Sequence, residues 1–190
     1  LHHQNNWQDD FIFPYYNDSG DLLAIFSALP YTPRVKLGGG HFELSHERFN
    51  DIIQKKVFDH YQNLYEHSKK HFLHKQEPVP FIAIGHLRCA ETTTTNNKQF
   101  EDIISQSNSL KEALPPSVFP EEYHHVALGC FNDCLAIDQE RIWYSGTPIA
   151  TCKHEYQTRH VVQIDFTIAS KKIEKTTFPV PLPEFRKTRF

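Results

Sequence analysis

Apolar residues along the chain fall into short blocks, and the spacing inside each block changes in a way that predicts its element. FIFPYY at 11–16 and LLAIFSALPY at 22–31 flank Asn17, Asp18, Ser19, Gly20 and Asp21. These are residue types that tolerate positive φ, so the pair predicts a hairpin. Three glycines at 38–40 break the pattern, and Ser45 is placed to cap a helix over 46–74. Within it Phe49, Ile52, Ile53, Phe58, Tyr61, Leu64 and Tyr65 recur at three- and four-residue spacing, whereas Lys55, Lys56, Lys69 and Lys70 lie mostly off that stripe. One face is therefore expected to pack on a sheet, and the lysine pairs to form its solvated side.

The proline-bearing QEPVP at 76–80 ends the helix, and FIAIG at 81–85 reads as a fully buried strand followed by His86. HVALG at 125–129 repeats that pattern before Cys130. Between them ETTTTNNK at 91–98 predicts an exposed loop and 100–113 a weak helix, closed by Pro115 and Pro116. CLAI, RIWYSG, RHVVQIDFTI and KIEKTTFPV then predict short strands in an antiparallel series. The proline-rich, basic stretch PVPLPEFRKTRF predicts a linker, which divides the chain into one domain over 1–178 and a linker over 179–190. There is no internal repeat.

A chain of 190 residues with 39% hydrophobic residues, 15 Phe and 8 Tyr among them, can build one substantial core. LLAIFSALP and VPFIAIG are far shorter than the ~20 residues that cross a bilayer, so no membrane contact is expected. LHHQNNWQDD lacks the basic head and apolar stretch of a signal peptide. Met is absent throughout, which suggests a fragment or the loss of modified methionines from the sequence. The net charge of −3 provides no general basic footprint for DNA, so any nucleic-acid contact must be local. Cys89, Cys130, Cys134 and Cys152 form no CxxC pair and predict reduced thiols in a cytoplasmic protein.

The chemistry concentrates at the two strand ends. Gly85 and Gly129 allow the chain to turn, so the next side chain points into a cleft at the carboxyl edge of the sheet. His86 could bind a metal there through one ring nitrogen, or serve as a hydrogen-bonded structural group. Arg88 could grip a phosphate with its guanidinium fork, or make a surface ion pair. His124 and His125 precede the apolar VAL run by too much to reach the rim together, and at most one of them could face a site. Asp133 offers a hard oxygen, or a turn residue before CLAI. His2, His3, His41, His46, His60, His67, His71 and His74 lie in a terminus, loop or helix face and are not expected to hold metal.

FIAIGHLRC, FPEEYHHVALG and RIWYSGTPIA, preceded by LLAIFSALPYTPR and the 46–74 helix, occur in the order and approximate spacing of a known family. Over roughly 11–180 the chain resembles the SbcD nuclease-subunit family of calcineurin-like metallophosphoesterases, and looks like the C-terminal half of their phosphoesterase domain. The resemblance implies an α/β fold, part of a metallophosphoesterase sandwich of two β-sheets flanked by helices. It implies a two-metal manganese centre, exonuclease and endonuclease action on DNA phosphodiesters, and an SbcC-like ATPase subunit as partner. A homodimer is a further expectation. His86 matches the family's Gly-His ligand. The family's Gly-His-x-His reads here Gly129, Cys130, Phe131, Asn132, so that Cys130 offers a thiolate and Asn132 a carbonyl oxygen in place of two histidines. The implied metal residues are thus His86, Cys130 and Asn132, with Arg88 on the substrate. The ligands of the family's first half do not occur in this chain. Two other functions stay open at this point: a non-catalytic phosphoesterase fold acting as a scaffold or DNA- and partner-binding module, and a phosphoesterase of small substrates.

Overall fold

The computed structural model describes residues 7–40, 44–73, 79–90, 113–149, 159–167 and 172–181. The proposed loop at 91–98, most of the weak helix at 100–113, and Cys152, His2, His3, His41 and His74 lie outside the described residues, as do 182–190 of the expected linker. No helix of the described residues is long and apolar enough to cross a membrane.

The fold is mixed α/β. A six-stranded sheet runs in the order β1-β2-β3-β4-β6-β5, and a separate pair, β7-β8, forms a second small sheet. The large sheet consists of β1 (Ile12–Tyr16), β2 (Leu22–Leu29), β3 (Phe81–His86), β4 (His125–Gly129), β5 (Leu135–Ile137) and β6 (Ile142–Tyr144). The small one consists of β7 (Arg159–Thr167) and β8 (Lys172–Val180). This arrangement is compatible with the expected phosphoesterase-like sandwich. β8 already includes Pro179 and Val180, the first two residues of the proline-rich stretch.

The hairpin forms where the turn residues predict it. The Asn17 side-chain oxygen accepts from the backbone N–H groups of Ser19 (3.0 Å) and Asp21 (2.8 Å), and Gly20 adopts φ +87°. Such Asx chemistry satisfies the turn's own donors without help from the rest of the fold. β2, β3, β4 and β6 are mutually parallel, and β1 and β5 are antiparallel strands at the two edges. The last four strands therefore do not form one antiparallel series: β6 pairs parallel with β4, and β7-β8 leave for the other sheet. Turn spacing reveals short strands, but burial against partners distant in sequence decides which of them pair.

Helix α2 (His46–Phe72) covers one face of the sheet, after the short helix α1 (Arg34–Leu37). Ser45 caps α2, its hydroxyl accepting from Arg48 N at 3.4 Å. The buried line along α2 is Ile53, Val57, Tyr61, Leu64 and Ser68. Phe58, assigned to the apolar stripe from sequence, is instead 38% exposed, because one residue of helix turns about 100° and carries it off the line that Val57 occupies. On the sheet, Ile25, Ala83, Val126 and Ile142 are fully buried in the same core. β3 also departs from the expected full burial, since Ile84 is 40% exposed on the face away from α2. Alternation explains the difference: only Phe81 and Ala83 of β3 point toward the helix.

Aromatic hydroxyls tie the layers together. Tyr61 donates to Ile84 O (2.8 Å), and Tyr123 donates to Tyr61 O (2.9 Å). Both phenols are pushed upward by burial and stay protonated. The small sheet contacts the large one, with Phe166 edge-on to His124 at 5.8 Å and Lys175 5.8 Å above the Trp143 ring.

Candidate functional site

Four parallel strands place their carboxyl ends on one rim, and that rim carries the candidate site, as expected for an open α/β sheet. His86 ends β3 directly beside Gly129, its register partner on β4. A Cβ at Gly129 would lie 2.9 Å from His86 Nδ1, closer than real side chains approach, so the bare glycine makes room for the imidazole. The other flank of His86 is closed by Tyr31, whose ring meets it edge-on at 5.4 Å.

Beyond His86 the chain is clamped. The buried Tyr144 hydroxyl donates to Leu87 O and accepts from Cys89 N, both at 2.8 Å. Leu114 N donates to Arg88 O (2.8 Å), and Ala90 N to Leu114 O (3.0 Å), so the Arg88 backbone is held from two sides. The Arg88 side chain is exposed. Helix α1 begins at Arg34, whose guanidinium donates to Asn50 on α2.

Tyr31, Thr32, Arg34, His86, Arg88 and Cys130 line a cavity of about 470 Å³, together with apolar side chains such as Leu37 and Ile53. The sequence-derived candidates His86, Arg88 and Cys130 are thus brought together. Cys130 sits immediately after β4 with φ +108°, a backbone conformation that a non-glycine residue adopts only where the surroundings enforce it. Asn132 is not among the lining residues: it is exposed, and its carbonyl oxygen accepts from Thr147 N (3.0 Å) and Arg159 Nη1 (2.6 Å). Asp133 pairs with the same Arg159 at 3.6 Å. Neither His124 nor His125 reaches the cavity. His124 Nδ1 accepts from Phe81 N (3.2 Å), and His125 is buried at the start of β4. Burial holds the His125 imidazole down to about 4, with the Lys175 ammonium adding to the effect.

Reading the sequence missed Tyr31, Thr32 and Arg34. The signal was available, since LPYTPR directly follows LLAIFSA, but it required recognising β2 as a parallel neighbour of β3 and not only as half of a hairpin. Cys89, one residue past Arg88, is unsuited to chemistry, because complete burial pushes its thiol up to about 12.

Among the described residues no group of three or more His, Cys, Asp or Glu could hold a metal ion. Among the described residues the cavity offers His86 and Cys130 as donors, and none of its described lining residues is a carboxylate. That set does not fit a two-manganese centre, which needs several hard oxygen donors to balance the ions' charge.

No known family profile matches the chain. Over 108 residues it is 30% identical to SbcD of the nuclease SbcCD from Rhodobacter capsulatus, a match that covers 57% of this chain and 26% of that protein. The likeness is to a nuclease subunit. The chain spans about a quarter of the length of that relative.

Proposed function

We propose that this chain is part of an SbcD-like nuclease subunit that acts on DNA phosphodiesters in DNA repair, with an SbcC-like ATPase subunit as its partner and a cytoplasmic location. The observation that carries the reading is the 30% identity over 108 residues to a nuclease subunit. The rim pocket supports it, because His86 lies at the end of a parallel strand with Arg88 two residues on, where a phosphodiester can be gripped. Exonuclease and endonuclease action with manganese is the finer form of this proposal. Its metal donors would have to extend beyond the described residues, since His86 and Cys130 alone do not make the centre. Full-length protein should degrade linear duplex DNA when manganese is supplied, and His86→Ala should abolish the degradation. Undiminished cleavage by the variant would refute the role of His86.

One observation favours a second reading, a non-catalytic phosphoesterase fold that serves as a scaffold or DNA-binding module. The cavity is lined by cationic side chains and by Cys130 where the resembled family keeps a metal-binding histidine. Calorimetric titration of full-length protein with manganese separates the two: tight, stoichiometric uptake refutes the scaffold, and no uptake together with no cleavage refutes the nuclease.

A further inference from the structure

The mismatch between the rim and a manganese centre has a direction. His86 and Gly129 are register partners on the parallel strands β3 and β4, and Cys130 directly follows Gly129. An imidazole and a thiol therefore leave neighbouring strands, about 4.8 Å apart, at the same end of the sheet. Both line the same cavity. His86 lies so close over Gly129 that a Cβ there would stand 2.9 Å from Nδ1, which puts the ring against the backbone that leads into Cys130. Cys130 is a half-buried free thiol, whereas Cys89 is completely buried and does not line this cavity.

The backbone under both donors is held. Tyr31 closes one side of the His86 ring with its edge-on contact at 5.4 Å, and Tyr144 bonds the peptide groups that follow, at Leu87 O and Cys89 N. On the other strand the turn after Cys130 is tied through Asn132 O to Thr147 N (3.0 Å) and Arg159 Nη1 (2.6 Å). Gly146 packs against that turn so closely that a Cβ would lie 2.7 Å from Asn132 O. Donors on a fixed backbone lose little freedom when an ion binds them. A thiolate with an imidazole suits zinc-like ions, whereas manganese favours oxygen donors. Water, or oxygen donors outside the described residues, would complete the coordination and would leave the sulfur in place.

We propose that His86 and Cys130 are two ligands of a zinc-type ion, and that the thiol of Cys130 turns the rim away from manganese. As the metal–sulfur bond forms, the thiol releases its proton to solvent, and nothing is oxidised or reduced. The inference deepens the nuclease reading, on which it rests for taking the rim as an ion site, by naming the kind of ion held there. The two fail separately, because a metal–sulfur bond is read without any cleavage.

The test is cobalt(II), a coloured substitute for zinc, titrated into reduced full-length protein. A thiolate-to-cobalt charge-transfer band should appear in the near ultraviolet and disappear when zinc is added. Zinc outranks manganese at most sites, so the sulfur band, and not the ranking, is decisive. Cys130→Ser should abolish the band, and since only one atom changes the variant should melt as the parent does. His86→Ala should keep the band at saturation but weaken cobalt binding at least about tenfold. In Cys130→His the gap between zinc and manganese affinities, measured by competition against cobalt, should narrow at least about tenfold. Absence of the band from the parent protein would overturn the proposal. So would a band that survives Cys130→Ser, cobalt affinity untouched by His86→Ala, or a gap left unchanged in Cys130→His. DNA cleavage without the band would overturn it and leave the nuclease reading intact, whereas the band with no cleavage under any ion would count against the nuclease reading alone.

Discussion

Replacing Tyr144 with Phe removes one oxygen and almost no volume, which isolates what that hydroxyl does. It donates to Leu87 O and accepts from Cys89 N at 2.8 Å each, and no other side chain bridges the two sides of Arg88 in this way among the described residues. Leu87 is 7% exposed and Cys89 0%, so water cannot take over either bond without opening the turn. A buried backbone group left without a partner costs about 1–3 kcal/mol. Two such groups, less the relief of no longer burying the phenol oxygen, give a loss of about 2–4 kcal/mol. For a chain of this size each kcal/mol corresponds to roughly 2–4 °C, so the melting temperature should fall by about 4–16 °C. Urea unfolding should show a lower midpoint with unchanged slope, since the surface exposed on unfolding stays the same. A stability change below about 1 kcal/mol would refute the reasoning, and would mean that the Cys89–Leu114 bridge holds the turn unaided.

Three further substitutions test the rim and the core beneath it. Gly85→Ala would set a Cβ 2.8 Å from Tyr61 Oη and 3.3 Å from Leu128 Cδ2, breaking the bond to Ile84 O in a packed layer; a loss of about 2–4 kcal/mol is expected by urea titration. Gly129→Ala collides instead with the exposed His86 ring, which can swing aside, so stability should change by less than about 1 kcal/mol while the His86 ring resonances shift in NMR. His125 titrates near 4 in the fold against about 6.5 when unfolded, so the unfolded chain takes up the proton first. Its contribution is therefore complete above pH 6.5 and is lost as the pH falls toward 4, by at most about 3 kcal/mol. His125→Phe should remove that part of the acid slope, measured as unfolding free energy between pH 4 and 7.

Periodicity and turn chemistry were enough to determine the local elements of this protein. The 17–21 turn, the Ser45 cap and the ends of β3 and β4 at Gly-His and Gly-Cys each depend on neighbours within a few residues, so the linear pattern carries them. The same locality made His86, Arg88 and Cys130 legible as rim residues. What the sequence could not decide is everything that depends on which strand lies beside which. Phe58 and Ile84 look apolar in the pattern but face outward, because burial follows from the one face that α2 and the sheet share. Asn132, two residues from Cys130, does not line the cavity, and the turn after β4 ties its carbonyl to Thr147 and Arg159. Arg34 and Tyr31 join the site only because β2 runs parallel beside β3, which brings residues more than fifty positions apart to one rim. Tertiary structure alone therefore decided the make-up of the cavity wall, since a wall is a set of neighbours in space, and Arg34 and Arg88, distant in sequence, both line it.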